Sequence, residues 1–359
     1  MNSATRRKIH FIHLTSAPGG LEVLLPQIIK ALPACDFRAF IIRPPSVNTP
    51  DVYEGADIDR EYGSLNNVPA AARLFRYVRK NRKDIFHLYN TGPLFLLVLR
   101  IAGARRVVYS IHGTLYWKST AQRLIMRAAW RLALSERFVV TSNSDYSRTV
   151  FLTTVLRAQK EVEIIYNPVY IEAGASAAAK KDDGFLTIGY AGRLVPGKNL
   201  IGWLNVAQRL SRDFSNVRFI MYGEGVLREE LMKHAGVLGI SDRVSFRGFV
   251  RDIASAYPEC DVMLFLSGRE SFGNAVVESV LCGTPVIASD IPAFRELLAN
   301  WEYCIVPADG SAAGQIATRL NNLEILRGYL PGMITEFRAR FSRDQHISKI
   351  SRIYDTISS

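Results

Sequence analysis

Short apolar runs alternate along this chain with longer stretches in which apolar residues recur every three or four positions. The short runs are typical of buried parallel strands, and the longer stretches are typical of helices that cover them. This pattern predicts an α/β fold with parallel sheets. The predicted strands are Lys8–Leu14, Ala39–Arg43, Ile85–Leu88, Arg106–Ile111, Phe138–Thr141, Glu163–Tyr166, Leu186–Ala191, Val217–Tyr222, Val244–Arg247, Val262–Leu266 and Pro285–Ala288.

One segment interrupts the alternation. Residues 172–184 are small and polar and show no apolar periodicity, as is typical of a linker. The chain length of 359 residues also fits two domains. The sequence therefore predicts an N-terminal Rossmann-like domain over residues 1–171 and a second Rossmann-like domain over residues 185–340. Residues 341–359 predict a closing helix.

Composition narrows the class of protein. The cysteines Cys35, Cys260, Cys282 and Cys304 are scattered without a Cys-x-x-Cys pair, which favours reduced thiols in the cytoplasm over disulfides or a zinc site. The segment after the basic N-terminus is too short and too polar to predict a secretory signal. The most apolar run, residues 93–99, is too short to predict a membrane span.

The strongest candidate chemistry lies between two predicted strands of the second domain. Glu270 lies in the loop after one strand, Gly273 and Asn274 follow at a turn, and Glu278 lies just over one turn into the next helix. In an open α/β sheet, ligands bind at this carboxyl edge, and the N–H groups at a helix start attract phosphate. Both glutamates are therefore predicted to face one ligand.

Two further loops of this domain carry related signals. The strand that ends in Tyr190-Ala191-Gly192 is followed by Arg193, and Lys198 comes five residues after that arginine. Such a pair alone is usually solvated surface charge, but its place in a Gly/Pro loop after a buried strand favours binding of a negatively charged ligand. Gly-rich or turn sequences also follow the next two strands, at Gly223 and at Val250.

These motifs, in this order, resemble the retaining glycosyltransferases of family 4, which have the GT-B fold of two Rossmann-like domains facing each other across a central cleft. The resemblance is strongest over about residues 186–298. It implies that the N-terminal domain binds the acceptor, that the second domain binds the nucleotide sugar, and that the helix of residues 341–359 crosses back onto the N-terminal domain. It implies that Arg193 and Lys198 hold the diphosphate of a nucleotide sugar, that Glu278 binds the ribose, and that Glu270 orients the transferred sugar. It also implies donor contacts at the nucleobase-side loops and at the start of the glutamate-bearing helix, namely at Gly223, Val250, Phe272, Gly273 and Asn274.

The N-terminal domain offers fewer candidates. Gly19 and Gly20 follow the first strand, where the family has a glycine pair at the donor diphosphate, although an ordinary strand-to-helix turn also explains them. His112 ends another strand and resembles the family's histidine near the transferred sugar. A histidine that caps a strand end by hydrogen bonding is the alternative. His10, His13 and His87 receive no role.

The resemblance predicts a retaining hexosyltransferase whose donor is a nucleoside diphosphate sugar, with UDP as the expected nucleotide. The acceptor is a saccharide or a polyprenyl-diphosphate-linked sugar of bacterial exopolysaccharide or lipopolysaccharide biosynthesis. The leaving phosphate is the expected base. No Asp-x-Asp follows a strand, so neither a catalytic metal nor a cofactor is expected.

Charge placement suggests a location. Arg73, Arg76, Arg79, Lys80, Arg82 and Lys83 fall within eleven residues that contain no acidic residue, and Arg123, Arg127 and Arg131 follow a four-residue spacing. Basic amphipathic helices lie on anionic membranes, and each cation near the surface adds about 1 kcal/mol. We therefore expect a cytoplasmic protein that is peripheral on the inner face of the cell membrane. Solvated faces over an ordinary core are the alternative.

Three other functional classes stay open at this point. A nucleotide-sugar epimerase or hydrolase of the same fold also handles a diphosphate sugar, and a non-catalytic nucleotide-sugar-binding protein is disfavoured by the presence of both glutamates and both cations. The net charge of +12 suggests nucleic-acid binding. No recognition helix, RNP-like motif or zinc motif supports that class, so we expect no nucleic-acid partner.

Overall fold

The structure is a computed structural model. It describes residues 6–15, 24–43, 53, 58–64, 67–113, 119–156, 161–169, 171, 183–308 and 312–358. The chain divides into two compact units. The first unit contains Met1–Pro168 and Arg343–Ser359, and the second contains Val169–Ser342.

The described part of the first unit contains a parallel sheet of seven strands in the order β3-β2-β1-β4-β5-β6-β7. The strands are β1 (Arg7–His13), β2 (Cys35–Ile41), β3 (Asp59–Tyr62), β4 (Ile85–Tyr89), β5 (Arg106–Ile111), β6 (Val139–Ser142) and β7 (Glu163–Ile164). The helices of this unit are α1 (Leu25–Ala31), α2 (Asn67–Asn81), α3 (Pro93–Ala102), α4 (Thr120–Ala133), α5 (Asp145–Phe151) and α13 (Arg343–Ser358).

The second unit repeats this plan with a parallel sheet of six strands, in the order β10-β9-β8-β11-β12-β13 over its described residues. The strands are β8 (Leu186–Ala191), β9 (Val217–Tyr222), β10 (Val244–Gly248), β11 (Val262–Phe265), β12 (Val286–Ser289) and β13 (Ile305–Val306). The helices are α6 (Leu200–Asp213), α7 (Arg228–Val237), α8 (Ile253–Ala256), α9 (Asn274–Leu281), α10 (Pro292–Leu297), α11 (Ala312–Asn321) and α12 (Leu323–Arg340).

Each of the eleven predicted strands overlaps an observed strand, so the predicted α/β class with parallel sheets is confirmed. The pattern missed β3 and β13, which lie at the edges of their sheets. Every residue of β3 is exposed, and β13 has two residues, so neither carries a buried apolar run.

Helices with an apolar face pack that face against the sheets, as the three- to four-residue repeat of apolar residues predicted. In the second unit, Trp203, Leu204 and Leu210 of α6 are buried, and the indole Nε1 of Trp203 donates to the carbonyl oxygen of Leu264 at 3.0 Å. This bond satisfies the one polar atom that the ring carries into the core. Helix α6 is therefore attached to β11, the strand that precedes the glutamate loop.

The C-terminal helix α13 belongs to the first unit. The buried hydroxyl of Tyr354 lies 2.7 Å from Nδ1 of His87 on β4. Arg106 donates to the carbonyl oxygen of Ser358 at 2.9 Å, and Arg352 pairs with Glu163. These contacts attach the end of the chain to β4, β5 and β7.

Within the described ranges, no helix has both the length and the apolar character needed to cross a membrane. All four cysteines lie in these ranges and carry free thiols.

Candidate functional site

The loops that follow β8 and β11 meet at one edge of the second sheet, because the two strands are parallel neighbours. Nζ of Lys198, from the first loop, binds Oε1 of Glu270, from the second. The Ser267 hydroxyl donates to the same oxygen at 2.9 Å. Two of the predicted residues are thus brought into direct contact, and the glutamate is held by a cation and a hydroxyl.

Local geometry explains how Lys198 reaches this position. Pro196–Lys198 form one turn of 3₁₀ helix, and Asn199 adopts a left-handed conformation with φ of 52° before α6 begins. The Asn199 side chain donates to the carbonyl oxygen of Leu266 at 3.2 Å. Because asparagine tolerates this conformation better than most residues, the turn can reverse and remain attached to the end of β11.

Arg193 lies in the same loop, and its side chain is exposed. The hydroxyl of Tyr190 donates to the backbone carbonyl of Arg193 at 3.2 Å. Burial raises the pKa of the Tyr190 phenol, and its charged neighbours are Glu270 and Arg193. Arg193 and Glu270 therefore lie around one buried tyrosine, and the guanidinium stays available to a ligand.

Close backbone packing joins the turns after β8 and β9. Gly223 has φ of 133°, and a Cβ at this position would lie 2.0 Å from the carbonyl oxygen of Gly192. The Gly223 N–H also donates to the carbonyl of Gly248 at 2.7 Å. Only glycine permits this approach, so Gly223 has a structural requirement that is independent of any ligand.

The second glutamate lies in α9. Glu278 is half-buried, and Tyr257 donates its hydroxyl to Oε2 of Glu278 at 2.7 Å. Burial raises the pKa of the Glu278 carboxyl above its ordinary value, and the bond from Tyr257 partly opposes that shift. The carboxyl group of Glu278 is therefore partly desolvated, and one of its oxygens already accepts a hydrogen bond from Tyr257.

The start of α9 is shaped by Gly273, which has φ of 110° and no side chain to cap the helix. A Cβ there would lie 2.8 Å from Cε1 of Phe294. Phe272 is buried and packs edge to face against Phe341, with ring centroids 5.2 Å apart. The Phe272 ring therefore anchors the loop, and only its backbone remains for the predicted donor contact.

The second unit thus gathers most of the predicted donor residues into the loops after β8, β9, β10 and β11. Val250 follows β10, and its side chain is half-buried. Sequence reasoning missed Ser267 and Tyr257. Ser267 follows β11 directly, so a polar residue at a strand's carboxyl end was an available signal. Nothing in the local sequence marks Tyr257, because its role comes from a contact with a helix 21 residues away.

His112 lies in the first unit, directly after β5, and is partly buried. Burial lowers the pKa of its imidazole to about 3; nearby His346 lowers it further, and a hydrogen bond with Asn167 raises it. The ring centroids of His112 and Tyr89 are 5.5 Å apart. The imidazole is therefore neutral at physiological pH and is suited to exchange hydrogen bonds rather than to carry charge.

The three histidines to which the sequence assigned no role make buried contacts in the first unit. His10 bonds Tyr77 at 2.5 Å and Asp84 at 3.0 Å. His13 contacts Tyr53 at 3.0 Å, and His87 lies inside the first unit. The predicted phosphate loop at Gly19 and Gly20 lies outside the described residues. Among the described residues, no three His, Cys, Asp or Glu side chains are grouped so that they could hold a metal ion.

Comparison with known proteins defines the class. The sequence model of the family described as "Glycosyl transferases group 1" matches residues 175–333. That of "Glycosyltransferase Family 4" matches residues 18–173. Between them the two matches account for both units, and the chain belongs to the group 1 glycosyl transferases of the GT-B fold. It is a glycosyltransferase, as the resemblance predicted.

Individual relatives agree with this assignment. The chain is 28% identical to a phosphatidyl-myo-inositol mannosyltransferase of Mycobacterium leprae, over 95% of this chain and 94% of the relative. It is 22% identical to the Escherichia coli UDP-Gal:alpha-D-GlcNAc-diphosphoundecaprenol alpha-1,3-galactosyltransferase, over 83% of each chain.

The fold also matches a solved structure. Anabaena HepE in complex with UDP superposes with a TM-score of 0.79 at 23% identity, over 97% of this chain and all of HepE. At this identity the match shows the fold. It confirms the predicted two-domain Rossmann-like GT-B architecture.

Proposed function

We propose that this protein is a retaining, metal-independent glycosyltransferase that moves a sugar from a nucleoside diphosphate sugar to a hydroxyl group of a lipid-linked or saccharide acceptor. The observation that carries the proposal is the contact between Lys198 and Glu270 beside the open start of α9. A cation, a carboxylate and a helix N-terminus at one sheet edge suit a ligand with both a diphosphate and sugar hydroxyls.

The donor residues divide the work by chemistry. Arg193 and Lys198 neutralise the diphosphate, whose negative charge grows as the bond to the sugar breaks. Glu270 accepts hydrogen bonds from hydroxyls of the transferred sugar and orients its anomeric carbon. Glu278 accepts hydrogen bonds from the ribose. Because Lys198 already contacts Glu270, one ammonium group can link the sugar-binding carboxylate to the diphosphate.

In the proposed reaction, the acceptor hydroxyl attacks the face of the sugar from which the diphosphate departs. The leaving phosphate oxygen takes the proton of that hydroxyl, so the anomeric configuration is retained without a covalent enzyme intermediate. The first unit supplies the acceptor site and the neutral imidazole of His112, which bonds a sugar hydroxyl. The two cations perform the charge stabilisation that a metal supplies in other transferases.

UDP is the proposed nucleotide, and a polyprenyl-diphosphate-linked sugar is the proposed acceptor. The Escherichia coli relative supports both, because its name specifies a UDP-galactose donor and a diphosphoundecaprenol acceptor. We further propose a role in bacterial exopolysaccharide or lipopolysaccharide assembly at the inner face of the cell membrane. The basic residues of α2 and α4 support that location.

A panel of nucleotide sugars, screened by thermal stabilisation, would identify the donor, since a ligand that binds only the folded protein raises its apparent stability. With that donor and a saccharide acceptor, NMR should show a product that keeps the donor's anomeric configuration, and EDTA should not change the rate. An inverted product would refute retention. A rate abolished by EDTA and restored by a divalent cation would refute metal independence, and turnover of the donor without any acceptor would favour an epimerase or hydrolase.

A further inference from the structure

Helices α3 and α4 of the first unit turn large apolar side chains outward. Leu124, Ile125 and Leu132 of α4 are 59%, 68% and 64% exposed, and Ile101 and Leu94 of α3 are 64% and 43% exposed. We name these five residues the α3–α4 face. Surface helices normally direct such residues into the core, and clustered exposure marks a surface that binds something.

Most of the large apolar residues of α4 do not pack into the core. Trp130 and Ala133 are the buried residues of this helix. Leu124, Ala128 and Leu132 recur every four residues, so they form a single row on the helix surface. All three are exposed. The apolar row of α4 is therefore additional to the row that packs inward.

Helices α3 and α4 present this surface together. Nη1 of Arg100, on α3, donates to the carbonyl oxygens of Leu132 and Leu134 at 2.6 and 2.9 Å, which attaches α3 to the end of α4. Leu94 and Ile101 are seven residues apart and so lie on the same side of α3, two turns from each other. The five exposed residues consequently belong to two joined helices of one layer.

The surrounding charge has a single sign. Residues 63–135 contain thirteen Lys and Arg residues and one acidic residue, Asp84, which gives a net charge of +12. That value equals the net charge of the whole chain, so the remainder of the protein is balanced. Asp84 itself is hydrogen-bonded to His10. The α3–α4 face therefore lies within the segment that carries the entire excess of positive charge.

Helix α2 behaves differently, which separates the two basic helices that the sequence grouped together. Leu74, Tyr77 and Val78 of α2 are buried, and its outer side carries exposed cations such as Arg76 and Arg79. Val68 in its first turn and Phe75, which is 37% exposed, are the large apolar residues that α2 leaves outside the core. The helix matches the expected alternative of a solvated basic face over an ordinary core. The cations of α2 can attract an anionic membrane surface. The exposed apolar side chains of α3 and α4 can also insert into such a membrane.

We propose that the α3–α4 face inserts into the interface of an anionic lipid membrane, with Leu124, Ile125, Leu132 and Ile101 at the acyl boundary and neighbouring arginines at the lipid phosphates. The inference rests on the proposed function in one respect, because a lipid-linked acceptor lies in such a membrane. An apolar row flanked by arginines is the surface that interfacial helices use. A second copy of this chain fits poorly, because it would bring two strongly basic segments together.

Sedimentation with vesicles tests the proposal. The full chain should bind phosphatidylcholine vesicles that contain phosphatidylglycerol, and a measurable part of that binding should persist at high salt. The double substitution Leu124→Ser/Ile125→Ser should lower the partition coefficient by about 100-fold and abolish the salt-resistant part, because each inserted aliphatic side chain contributes about tenfold. Arg123→Gln/Arg131→Gln should lower low-salt binding by about fivefold per cation.

A matched control is Val237→Ser on α7, which removes another exposed helix aliphatic side chain, 84% exposed, from the second unit. It should bind as the unchanged protein does. Equal binding by Leu124→Ser/Ile125→Ser and the unchanged protein at both salt concentrations would overturn insertion. If the unchanged protein does not bind anionic vesicles at low salt, the proposal that the α3–α4 face binds membranes is wrong. It is also wrong if the protein is a dimer in solution that Leu124→Ser/Ile125→Ser dissociates.

A second measurement separates this inference from the proposed function. Transfer to a water-soluble acceptor should be equal in the unchanged protein and in Leu124→Ser/Ile125→Ser, because neither residue belongs to the donor site. Transfer in solution without vesicle binding would overturn the membrane face alone. Vesicle binding without transfer from any nucleotide sugar would overturn the proposed function alone.

Discussion

Lys198 and Glu270 form an ion pair across 72 residues of sequence, with side chains that are 22% and 16% exposed. One lies after β8 and the other after β11, and the parallel pairing of these strands is what brings them together. Both charges are partly removed from water, and each is compensated by the other. An isolated buried charge would have no such compensation. The pair therefore keeps a cation and a carboxylate in position before any ligand binds.

Removal of the cation should be costly to catalysis. Lys198→Ala should lower turnover by roughly 10²- to 10³-fold, the scale observed when one preorganised charge stabiliser is lost. Steady-state kinetics would measure the change, with Lys233→Ala, an exposed lysine of α7, as the control. Full activity in Lys198→Ala would refute the diphosphate assignment.

Glu270 should act on the sugar rather than on the nucleotide. Glu270→Gln keeps the shape but removes the charge that Lys198 and Ser267 contact. We expect kcat to fall, whereas the dissociation constant for the free nucleoside diphosphate should change little. Calorimetric titration with the nucleotide beside a transfer assay separates the two effects, and a variant that loses nucleotide affinity but keeps kcat would contradict this role.

Nucleotide binding should depend on pH through Glu278. Its pKa is raised by burial, so its charged form is lost as pH falls through a value above the ordinary 4.5. Tyr257→Phe removes the bond that lowers this pKa, and the loss of affinity should then begin at a higher pH. Titrations with nucleotide from pH 7 to pH 5 measure this shift. An identical pH profile in Tyr257→Phe would show that ribose binding does not use the ionised carboxylate, and Glu278→Ala should bind weakly at every pH.

Acid should destabilise the first unit through its buried histidines. The pKa of His346 is lowered to about 4 by burial, whereas an ordinary imidazole titrates near 6.5. The unfolded chain therefore takes up a proton over a range in which the folded chain does not. The stabilising contribution is complete above pH 6.5 and is lost as pH falls, by about 2 kcal/mol between pH 6.5 and 5.

His346→Asn should reduce this pH dependence, because the asparagine amide can still donate to the carbonyl oxygen of Tyr166, which lies 2.8 Å from Nδ1 of His346. Thermal unfolding at pH 7 and pH 5 would measure the difference in midpoint. Equal pH dependence in His346→Asn and the unchanged protein would show that His346 does not contribute.

Gly223 should not tolerate a side chain. Gly223→Ala would place Cβ 2.0 Å from the carbonyl oxygen of Gly192 at a φ of 133°, so we expect a loss of about 1–3 kcal/mol and weaker donor binding. Gly328→Ala in α12 is the control. A Cβ there meets no atom within 4 Å, and this substitution should leave stability unchanged or raise it by up to about 1 kcal/mol. Differential scanning calorimetry of both variants would decide, and equal midpoints would contradict the packing argument.

The sequence alone determined the secondary structure wherever burial leaves a pattern. Strands such as Val262–Phe265 are apolar throughout because both faces of a covered parallel sheet are dry. The sequence also placed Lys198 and Glu270 after the carboxyl ends of neighbouring strands, and the structure brings the two side chains into contact there. Edge strands such as β3 were not predicted, because an exposed strand pairs through its backbone and carries no apolar run.

Contacts between distant side chains were decided only by the tertiary structure. Spacing along the chain cannot show that Tyr257 donates to Glu278, because that bond requires the 3₁₀ turn at Tyr257–Glu259 and helix α9 to approach each other in space. Whether a given helix face is buried or exposed was also decided only by the tertiary structure. The repeat of Leu124 and Leu132 is equally compatible with a buried row and an exposed one, and the packing of Trp130 against Tyr109 and Phe151 selected the exposed alternative. The local sequence determines which residues share one face of a helix. Which helix face is buried and which is exposed depends on how all the elements pack into the core.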